Sequence, residues 1–136
     1  MDDDLAQAIY KGEPKTTPDQ NALVVGAGRG IGLALAKELL ESREVRTLWC
    51  TARSKSEALD ALAVEHPERV RVAYLDALDE VSIAAVAKVV AADVDTLHLA
   101  ILSVGVLHGS DDLRPEKRLE QLDSKRLARY FATNTI

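Results

Sequence analysis

The sequence predicts an α/β domain built on a parallel sheet, and three observations support this prediction. Strand-like apolar segments alternate with helix-like segments along most of the 136 residues. Four of the seven glycines lie between residues 26 and 32, directly between a strand and a helix. The segment 97–102 is apolar except for one histidine, which is typical of a strand covered on both faces. Strands that alternate with helices form right-handed crossovers, so the strands run parallel.

The first strand and the first helix adjoin the glycines. An apolar run at about 21–25 predicts the strand, and an apolar-rich segment predicts the helix at about 30–42. On that helix Ile31, Leu35 and Leu39 fall at spacings of four. Because positions four apart lie on one face of a helix, we expect these three residues to form its buried stripe.

Two further strand–helix units follow. We expect a strand at about 47–51 and a helix at about 56–65, which ends before Pro67 because proline cannot continue it. A third strand is expected at about 70–75, ahead of a third helix at about 81–91. That helix would be supported by four apolar residues, Val81, Ala85, Val86 and Val89.

The last part of the chain contains one more strand and one more helix. The strand is expected at about 97–104, and a polar stretch over 109–123 follows it. The last helix is expected to begin near Ser124. Residues 1–20 precede the whole pattern, and glycine and proline interrupt any regular structure there.

The composition excludes several classes of function. A hydrophobic content of 47% is ordinary for a globular domain. The net charge of -5 and the pI near 5.2 disfavour sequence-independent nucleic-acid binding, which needs clustered Lys and Arg. No apolar run approaches the roughly 20 residues of a membrane span. We therefore expect neither a nucleic-acid partner nor a membrane.

The N-terminus and the single cysteine favour the cytoplasm. The acidic start, residues 1–4, does not resemble a secretory or mitochondrial signal. Cys50 is the only cysteine, so no intrachain disulfide is possible, and its apolar neighbours predict a buried thiol. The histidines His66, His98 and His108 form no metal-ligand pattern, so no metal site is expected. We expect His98 to be packed within its apolar strand.

The spacing of the glycines predicts nucleotide binding. Gly26 permits a sharp turn off the strand, and Gly30 has no side chain to hold a phosphate away from the backbone. Gly32 lets the helix lie close to the strand. The helix N-terminus then presents free N–H groups to a pyrophosphate. This favours a Rossmann-type doubly wound parallel sheet, while a glycine-rich turn without a ligand is the simpler alternative.

The end of the second strand indicates which nucleotide is bound. In dinucleotide folds an acid there pairs with the 2′-hydroxyl of NAD, whereas a basic residue accepts the 2′-phosphate of NADP. Residues 47–56 contain no carboxylate, Arg53 stands at this place, and Arg29 adds a cation from the glycine turn. We therefore expect NADP(H) to be preferred over NAD(H). Two solvated surface arginines are the alternative.

Two acids follow the third strand. Asp76 lies at the C-terminal end of the strand, where open parallel sheets bind their ligands. Asp79 is more simply explained as the N-cap of the next helix.

S-adenosylmethionine-dependent methyltransferases are a rival interpretation, because they also place a glycine turn on a parallel sheet. They usually carry an acid two residues before the first glycine and another at the end of the second strand. Here those positions hold Val24 and Arg53, and both departures count against a methyltransferase.

The sequence resembles the short-chain dehydrogenase/reductase family from residue 21 to residue 136. The matching features occur in the family's order and spacing, and they are Gly26-x-x-x-Gly30-x-Gly32, Thr51-Ala52-Arg53, Leu75-Asp76, Leu102-Ser103-Val104-Gly105 and Asn134-Thr135-Ile136. Two further segments are most similar to the branch called C-factor-like, namely Val106-Leu107-His108 and Pro115-Glu116-Lys117-Arg118-Leu119-Glu120.

The resemblance implies a role for each matching position. The glycine turn would hold the pyrophosphate, Arg53 the 2′-phosphate, and Asp76 the adenine. The residues implied in cofactor binding are Gly26, Gly28, Arg29, Gly30, Ile31, Gly32, Thr51, Arg53, Asp76, Ala77, Ser103, Val104 and Gly105. The last three would line the floor beneath the nicotinamide-side ribose. Asn134 resembles the family's active-site Asn, which orders a proton-relay water.

The chain departs from the family pattern at several positions. Leu102-Ser103-Val104-Gly105 stands where the family commonly has Asn-Asn-Ala-Gly, and Val25 replaces the usual Thr before the first glycine. The family's acid/base Tyr with a Lys four residues later has no counterpart. The three tyrosines, Tyr10, Tyr74 and Tyr130, are followed at that distance by Pro14, Leu78 and Asn134.

We therefore expect the N-terminal half of such an enzyme. It would comprise a partly disordered leader over 1–20 and a dinucleotide-binding half-domain over 21–136, truncated before the Tyr–Lys segment. The full-length form would exchange hydride between NADP(H) and a small carbonyl or alcohol substrate and would be a homo-oligomer, whereas this chain alone would be inactive. A catalytically dead nucleotide-binding module and a partial domain completed by another chain are the alternatives. The surviving Asn134 favours the first interpretation.

Overall fold

The computed structural model describes residues 18–106, Leu113 and residues 116–135. Its strands are β1 (Gln20–Val25), β2 (Val45–Ala52), β3 (Val70–Tyr74) and β4 (Leu99–Leu102). Its helices are α1 (Gly30–Glu41), α2 (Glu57–Glu65), α3 (Glu80–Asp93) and α4 (Ser124–Asn134), and a short 3-10 helix spans Leu119–Gln121. The strands form one open parallel sheet in the order β3-β2-β1-β4. This confirms the predicted fold class.

The strand order reverses beside β1. This strand pairs with β2 on one side and with β4 on the other, and Val25 is the last residue to pair with each of them. The carboxyl ends of the three strands therefore meet at one edge of the sheet. A crevice opens there between β1 and β4, at the place where open α/β sheets bind their ligands.

Alternate side chains of β2 pack into two separate cores. On one face Leu48 and Cys50 belong to a cluster that also contains residues of α1 and α2. On the other face Trp49 packs with Val86 and Val90 of α3. This alternation is the period of two that a strand shows when helices cover both of its faces.

Cys50 is a buried thiol, as predicted. None of its surface is exposed, and burial raises the pKa of the thiol from 9.0 to about 12. The cause is the hydration that a thiolate would lose inside the core. The side chain is therefore neutral near pH 7 and acts as a small apolar residue.

The predicted buried stripe of α1 is wrong by one position. The buried residues are Gly32, Ala36 and Leu40, whereas Ile31 is 75% exposed. Leu35 and Leu39 are only partly buried, on the flank of this stripe. The reason is the glycine turn, because a Cβ at Gly32 would overlap the carbonyl group of Gly26. The glycine side of the helix must face the turn, and this fixes the rotation of the helix.

The expected helix α3 is present, but only one of the four apolar residues that indicated it is buried. Val86 is buried, but Val81 is 79% exposed, Val89 is 46% exposed, and Ala85 is also exposed. The buried residues are Ser82, Val86 and Val90. Ser82 turns inward because its hydroxyl hydrogen-bonds the loop that precedes the helix.

β4 is shorter and more open than expected. Within the described residues it pairs only with β1, and Leu99 and Leu102 are 39% and 62% exposed, so the prediction of a strand covered on both faces is wrong. An apolar run shows that a strand can be buried, but not which segment covers it.

The prediction that His98 is packed is also wrong. Its side chain is exposed, and its Nδ1 accepts a hydrogen bond of 3.0 Å from the backbone N–H of Asn21. The buried Asn21 side chain donates in turn to the carbonyl of Thr96 at 2.8 Å. These hydrogen bonds join the residues just before β4 to the start of β1.

The observed bounds are close to the predicted ones. Gln20 already belongs to β1, one residue before the expected start of the domain, and α4 begins at Ser124 as predicted. Residues 1–17 of the expected leader lie outside the described residues, as do most of residues 107–115. No helix in the described parts of the chain is long and apolar enough to cross a membrane.

Candidate functional site

The turn after β1 is hydrogen-bonded to β2 and lies against the segment that follows β4. The N–H of Gly26 and the N–H of Ala27 both donate to the carbonyl of Thr51, at 3.1 and 2.8 Å. The Thr51 side chain is fully buried, and its Oγ1 also accepts from the Gly26 N–H at 3.4 Å. Gly26 has a φ of 85°, and a Cβ on it would overlap the backbone carbonyl of Ser103. Only glycine fits there, because the conformation is left-handed and β4 is too close.

Gly30 begins α1 and faces open space. Its φ is 55°, and no described atom lies within 4 Å of the position that a Cβ would occupy. The Arg29 side chain makes no capping hydrogen bond to the first turn of the helix. The first N–H groups and the positive end of the helix dipole are therefore available to an anion.

The connection from β2 to α2 supplies positive charge. Arg53 and Lys55 are both exposed there, opposite Arg29 of the glycine turn. Ser56 caps α2, because its Oγ accepts from the N–H of Leu59 at 3.2 Å. The same hydroxyl donates to the carbonyl of Gly28 at 2.6 Å. One side chain therefore joins the two loops that carry the cations.

The connection from β3 to α3 is held by buried Ser82. The N–H of Asp76 donates to Ser82 Oγ at 3.1 Å, and this hydroxyl lies 3.1 and 2.9 Å from the carbonyls of Asp76 and Asp79. The Asp76 carboxylate accepts from the N–H of Leu78 at 3.0 Å. Asp79 caps α3 by accepting from Val81 N–H, as the sequence predicted.

The segment after β4 is held by Asn134. The Asn134 Oδ1 accepts from the Val106 N–H at 2.7 Å, and its Nδ2 donates to the Val106 carbonyl at 2.8 Å. The N–H of Ser103 donates to the carbonyl of Val25 at 2.8 Å. Ser103 to Gly105 therefore run across the end of β1 as a floor. Both ends of the Asn134 amide are used in holding it.

These four connections border one open cavity of about 760 Å³ at the carboxyl edge of the sheet. Eleven of the predicted site residues line it, and they are Gly26, Gly28, Arg29, Gly30, Ile31, Arg53, Asp76, Ala77, Ser103, Val104 and Gly105. Gly32, Thr51 and Asn134 do not line it but stand behind it, where they support the turn and the floor.

Several lining residues were not foreseen from the sequence. They are Ala52, Ser54, Lys55, Ser56, Leu75, Leu78, Val106 and Thr133. Lys55 could have been found from its position two residues after Arg53 in a segment without acids. Ser56 could not, because its bond to Gly28 joins residues that are distant in sequence.

The electrostatic character of the cavity suits a phosphorylated ligand. Its described lining includes three cations, Arg29, Arg53 and Lys55, against one acid, Asp76. The cations stand on the β1 and β2 side, and the acid follows β3. The described residues contain no cluster of three or more metal-ligating side chains.

The chain matches known proteins over most of its length. The model of the family described as short chain dehydrogenase matches residues 20–136. None of the curated proteins matches the chain.

Solved structures share the fold. One is a carbonyl reductase from Pseudomonas aeruginosa, 26% identical with a TM-score of 0.71, and the match covers 85% of this chain and 50% of that one. Its complex with NADP gives the same values. A short-chain dehydrogenase from Streptomyces avermitilis is 27% identical with a TM-score of 0.68, over 87% of this chain and 39% of its own length.

The chain therefore spans half or less of the length of these solved structures. The family model nevertheless covers residues 20–136 of the chain, and the solved structures share its fold. The chain belongs to the short chain dehydrogenase family.

Proposed function

We propose that this chain is the NADP(H)-binding part of a reductase or dehydrogenase that acts on a small carbonyl or alcohol substrate. One observation carries the proposal. The cavity at the carboxyl edge of the sheet combines an open glycine turn with three cations and a single acid. A solved relative from Pseudomonas aeruginosa is described as a carbonyl reductase in complex with NADP, which supports this choice of cofactor and reaction.

The glycine turn and the start of α1 would bind the pyrophosphate. Gly30 leaves the space that a phosphate needs, and Ile31, at the first turn of the helix, is exposed toward the cavity. The uncapped N–H groups of this turn would donate to phosphate oxygens, and the helix dipole would favour the negative charge.

The cations at the end of β2 would bind the 2′-phosphate. Arg53 presents a planar guanidinium with paired N–H donors, which suits phosphate oxygens. Arg29 approaches from the glycine turn, and both side chains line the same cavity. No acid lies in the β2–α2 connection to pair with a 2′-hydroxyl. This combination favours NADP(H) over NAD(H).

The other two connections would hold the two ends of the dinucleotide. Asp76 and Ala77 line the cavity beyond β3 and would contact the adenine. Ser103, Val104 and Gly105 would lie beneath the ribose on the nicotinamide side. When bound, NADPH supplies a hydride, so the reducing power resides in the cofactor and the chain supplies its orientation.

Asn134 would support catalysis by holding the floor of the site. Its oxygen and its nitrogen each make one hydrogen bond to Val106, so its direct effect is to fix the segment that would face the nicotinamide. The sequence has no Tyr followed by Lys after four residues, the pair that the family resemblance implies for protonating the substrate oxygen. We propose that residues 1–136 bind the cofactor without turning over a carbonyl.

A nucleotide titration tests the proposal. NADPH should bind the unmutated chain more tightly than NADH, and Arg53→Asp should reverse the order. The substitution removes a charge-assisted phosphate contact worth about 1–3 kcal/mol. Arg43→Asp makes the same change of charge on an exposed residue outside the cavity, and it should leave both affinities unchanged. Equal affinities in the unmutated chain would refute the NADP(H) preference.

The remaining parts of the proposal concern the full-length form. We propose cytoplasmic location, homo-oligomeric assembly and membership of the C-factor-like branch. The branch rests on Val106-Leu107-His108 and Pro115–Glu120, parts of which lie outside the described residues. A catalytically dead module is the alternative, and it is favoured by the absent Tyr–Lys pair. It predicts that a natural form carrying more residues than 1–136 would also lack this pair and would bind NADPH without oxidising it.

A further inference from the structure

We propose that Ser56 is a positioning residue that sets the preference for the 2′-phosphate, and this rests on the cofactor proposed above. Its hydroxyl is the connection between the glycine turn and the start of α2. It donates to the carbonyl of Gly28 at 2.6 Å and accepts from the N–H of Leu59 at 3.2 Å. Ser56 itself carries no charge and acts through its neighbours.

The two loops that Ser56 joins each carry a cation next to the point of contact. Arg29 follows Gly28 directly, and Lys55 precedes Ser56 directly. A 2′-phosphate that Arg29 and Arg53 hold between these loops needs the loops at a fixed separation, since charge-assisted hydrogen bonds weaken steeply as their geometry is lost. A hydroxyl that bonds both loops limits how far they can separate.

The packing of Gly28 supports the same role. A Cβ at Gly28 would lie 3.0 Å from the Cβ of Ala52 and 3.6 Å from the Cβ of Ser56. The glycine turn therefore lies directly against the end of β2 and the start of α2. Gly28 differs in this respect from Gly30, where a Cβ would have no described neighbour within 4 Å. The glycine at 28 is needed for contact between the loops, and the one at 30 leaves space for a ligand.

The start of the turn is fixed independently of Ser56. Gly26 and Ala27 both donate to the Thr51 carbonyl, so their position does not need the Ser56 hydroxyl. Removing the hydroxyl should therefore leave the pyrophosphate site in place while it frees Gly28 and Arg29 from the β2–α2 connection. The expected result is a change in selectivity between nucleotides rather than a general loss of binding.

The test measures the ratio of the dissociation constants of NADH and NADPH for the full chain. Ser56→Ala should lower this ratio by roughly three- to tenfold, the effect of one lost hydrogen bond on the bound phosphate. Ser56→Thr keeps the hydroxyl and should restore the ratio. Asp79→Ala removes the corresponding cap of α3, which is not joined to the glycine turn, and should lower the melting temperature without changing the ratio.

Two results would overturn the inference. One is a ratio that Ser56→Ala leaves unchanged, whether or not both affinities fall together, and the other is a changed ratio in Asp79→Ala. Arg53→Asp separates this failure from that of the proposed function. If Arg53→Asp reverses the nucleotide preference and Ser56→Ala leaves it unchanged, only the role of Ser56 is refuted. If neither substitution changes the preference, the proposed cofactor and the role of Ser56 are both refuted. Should Ser56→Ala not fold, Ser56→Cys offers a weaker donor of similar size and gives the same comparison.

Discussion

Asn134 and Val106 form a closed pair of hydrogen bonds across 28 residues of sequence. The side-chain oxygen of Asn134 accepts from the Val106 N–H at 2.7 Å, and its amide nitrogen donates to the Val106 carbonyl at 2.8 Å. A carboxamide carries an acceptor oxygen and a donor nitrogen side by side, so it can satisfy the N–H and the carbonyl of one backbone residue. The last residue of α4 is therefore bonded to the segment that leaves β4.

Replacing Asn134 by Asp should release the segment after β4. The carboxylate can still accept from the Val106 N–H, but its second oxygen then faces the Val106 carbonyl and repels it. We expect faster amide hydrogen exchange at Val106 and a loss of about 1 kcal/mol in the free energy of unfolding. Lys125→Ala, at the opposite end of α4, serves as the control and should leave exchange at Val106 unchanged. Unaltered protection of Val106 in Asn134→Asp would contradict the role of this pair.

Replacing Gly30 by Val should abolish nucleotide binding while most of the fold is kept. The position has open space around it, so the branched side chain would occupy the space meant for phosphate. Its φ of 55° strains any L side chain, so the melting temperature should also fall, without loss of the fold. Gly32→Ala is the matched contrast, because its Cβ would overlap the Gly26 carbonyl and should destabilise the fold itself. Circular dichroism melting and NADPH titration distinguish the two. Normal NADPH binding by Gly30→Val would mean that the site is wrongly assigned.

Raising the pH should destabilise the fold through Cys50. Its pKa is about 12 in the folded chain, above the value of 9.0 for an exposed thiol, so the neutral thiol stabilises the folded state. That contribution is complete below about pH 9 and is lost as the pH rises from 9 toward 12, at about 1.4 kcal/mol per pH unit. Urea unfolding at several pH values measures it. Cys50→Ala should lack this part of the decrease in unfolding free energy with rising pH. An identical decrease in both proteins would contradict the prediction.

Purified residues 1–136 should not oxidise NADPH with any aldehyde or ketone. No Tyr–Lys pair is present in the sequence, and the Asn134 side chain is engaged by the backbone of Val106. An NADPH absorbance assay with a panel of carbonyl compounds checks this. Turnover that Asn134→Ala abolishes would reveal a proton donor in the chain that we have not identified.

The sequence predicted where the candidate site lies better than it predicted the hydrogen bonds that hold its loops in place. The strand ends and the glycine turn carry local signals, so Gly30, Arg53 and Asp76 could be assigned to one edge of the sheet before the fold was known. The bonds made by Ser56 and Ser82 could not be predicted. Ser56 bonds a carbonyl of the glycine turn, and Ser82 bonds backbone groups of the loop before its own helix. A serine near the start of a helix has no pattern that names its partner.

The error in the rotation of α1 has a similar physical origin. Hydrophobic spacing on α1 selected Ile31, Leu35 and Leu39, since it counts apolar side chains and ignores glycine. The actual contact with the turn after β1 is made through Gly32, which has no side chain to count. For β4, the apolar run correctly indicated a strand, but the element that covers a strand is not encoded in the strand itself.

The two halves of the cavity differ in how far apart their partners lie along the chain. Gly26 bonds Thr51, which is 25 residues away, whereas Val25 bonds Ser103, which lies much farther along the chain. Closing a longer loop costs more chain entropy and slows the pairing of distant strands. During folding the glycine turn between β1 and β2 should therefore form first, and the pairing of β4 with β1 should form later. A folding intermediate that already holds the anion-binding turn would meet the cofactor before the floor of the site exists.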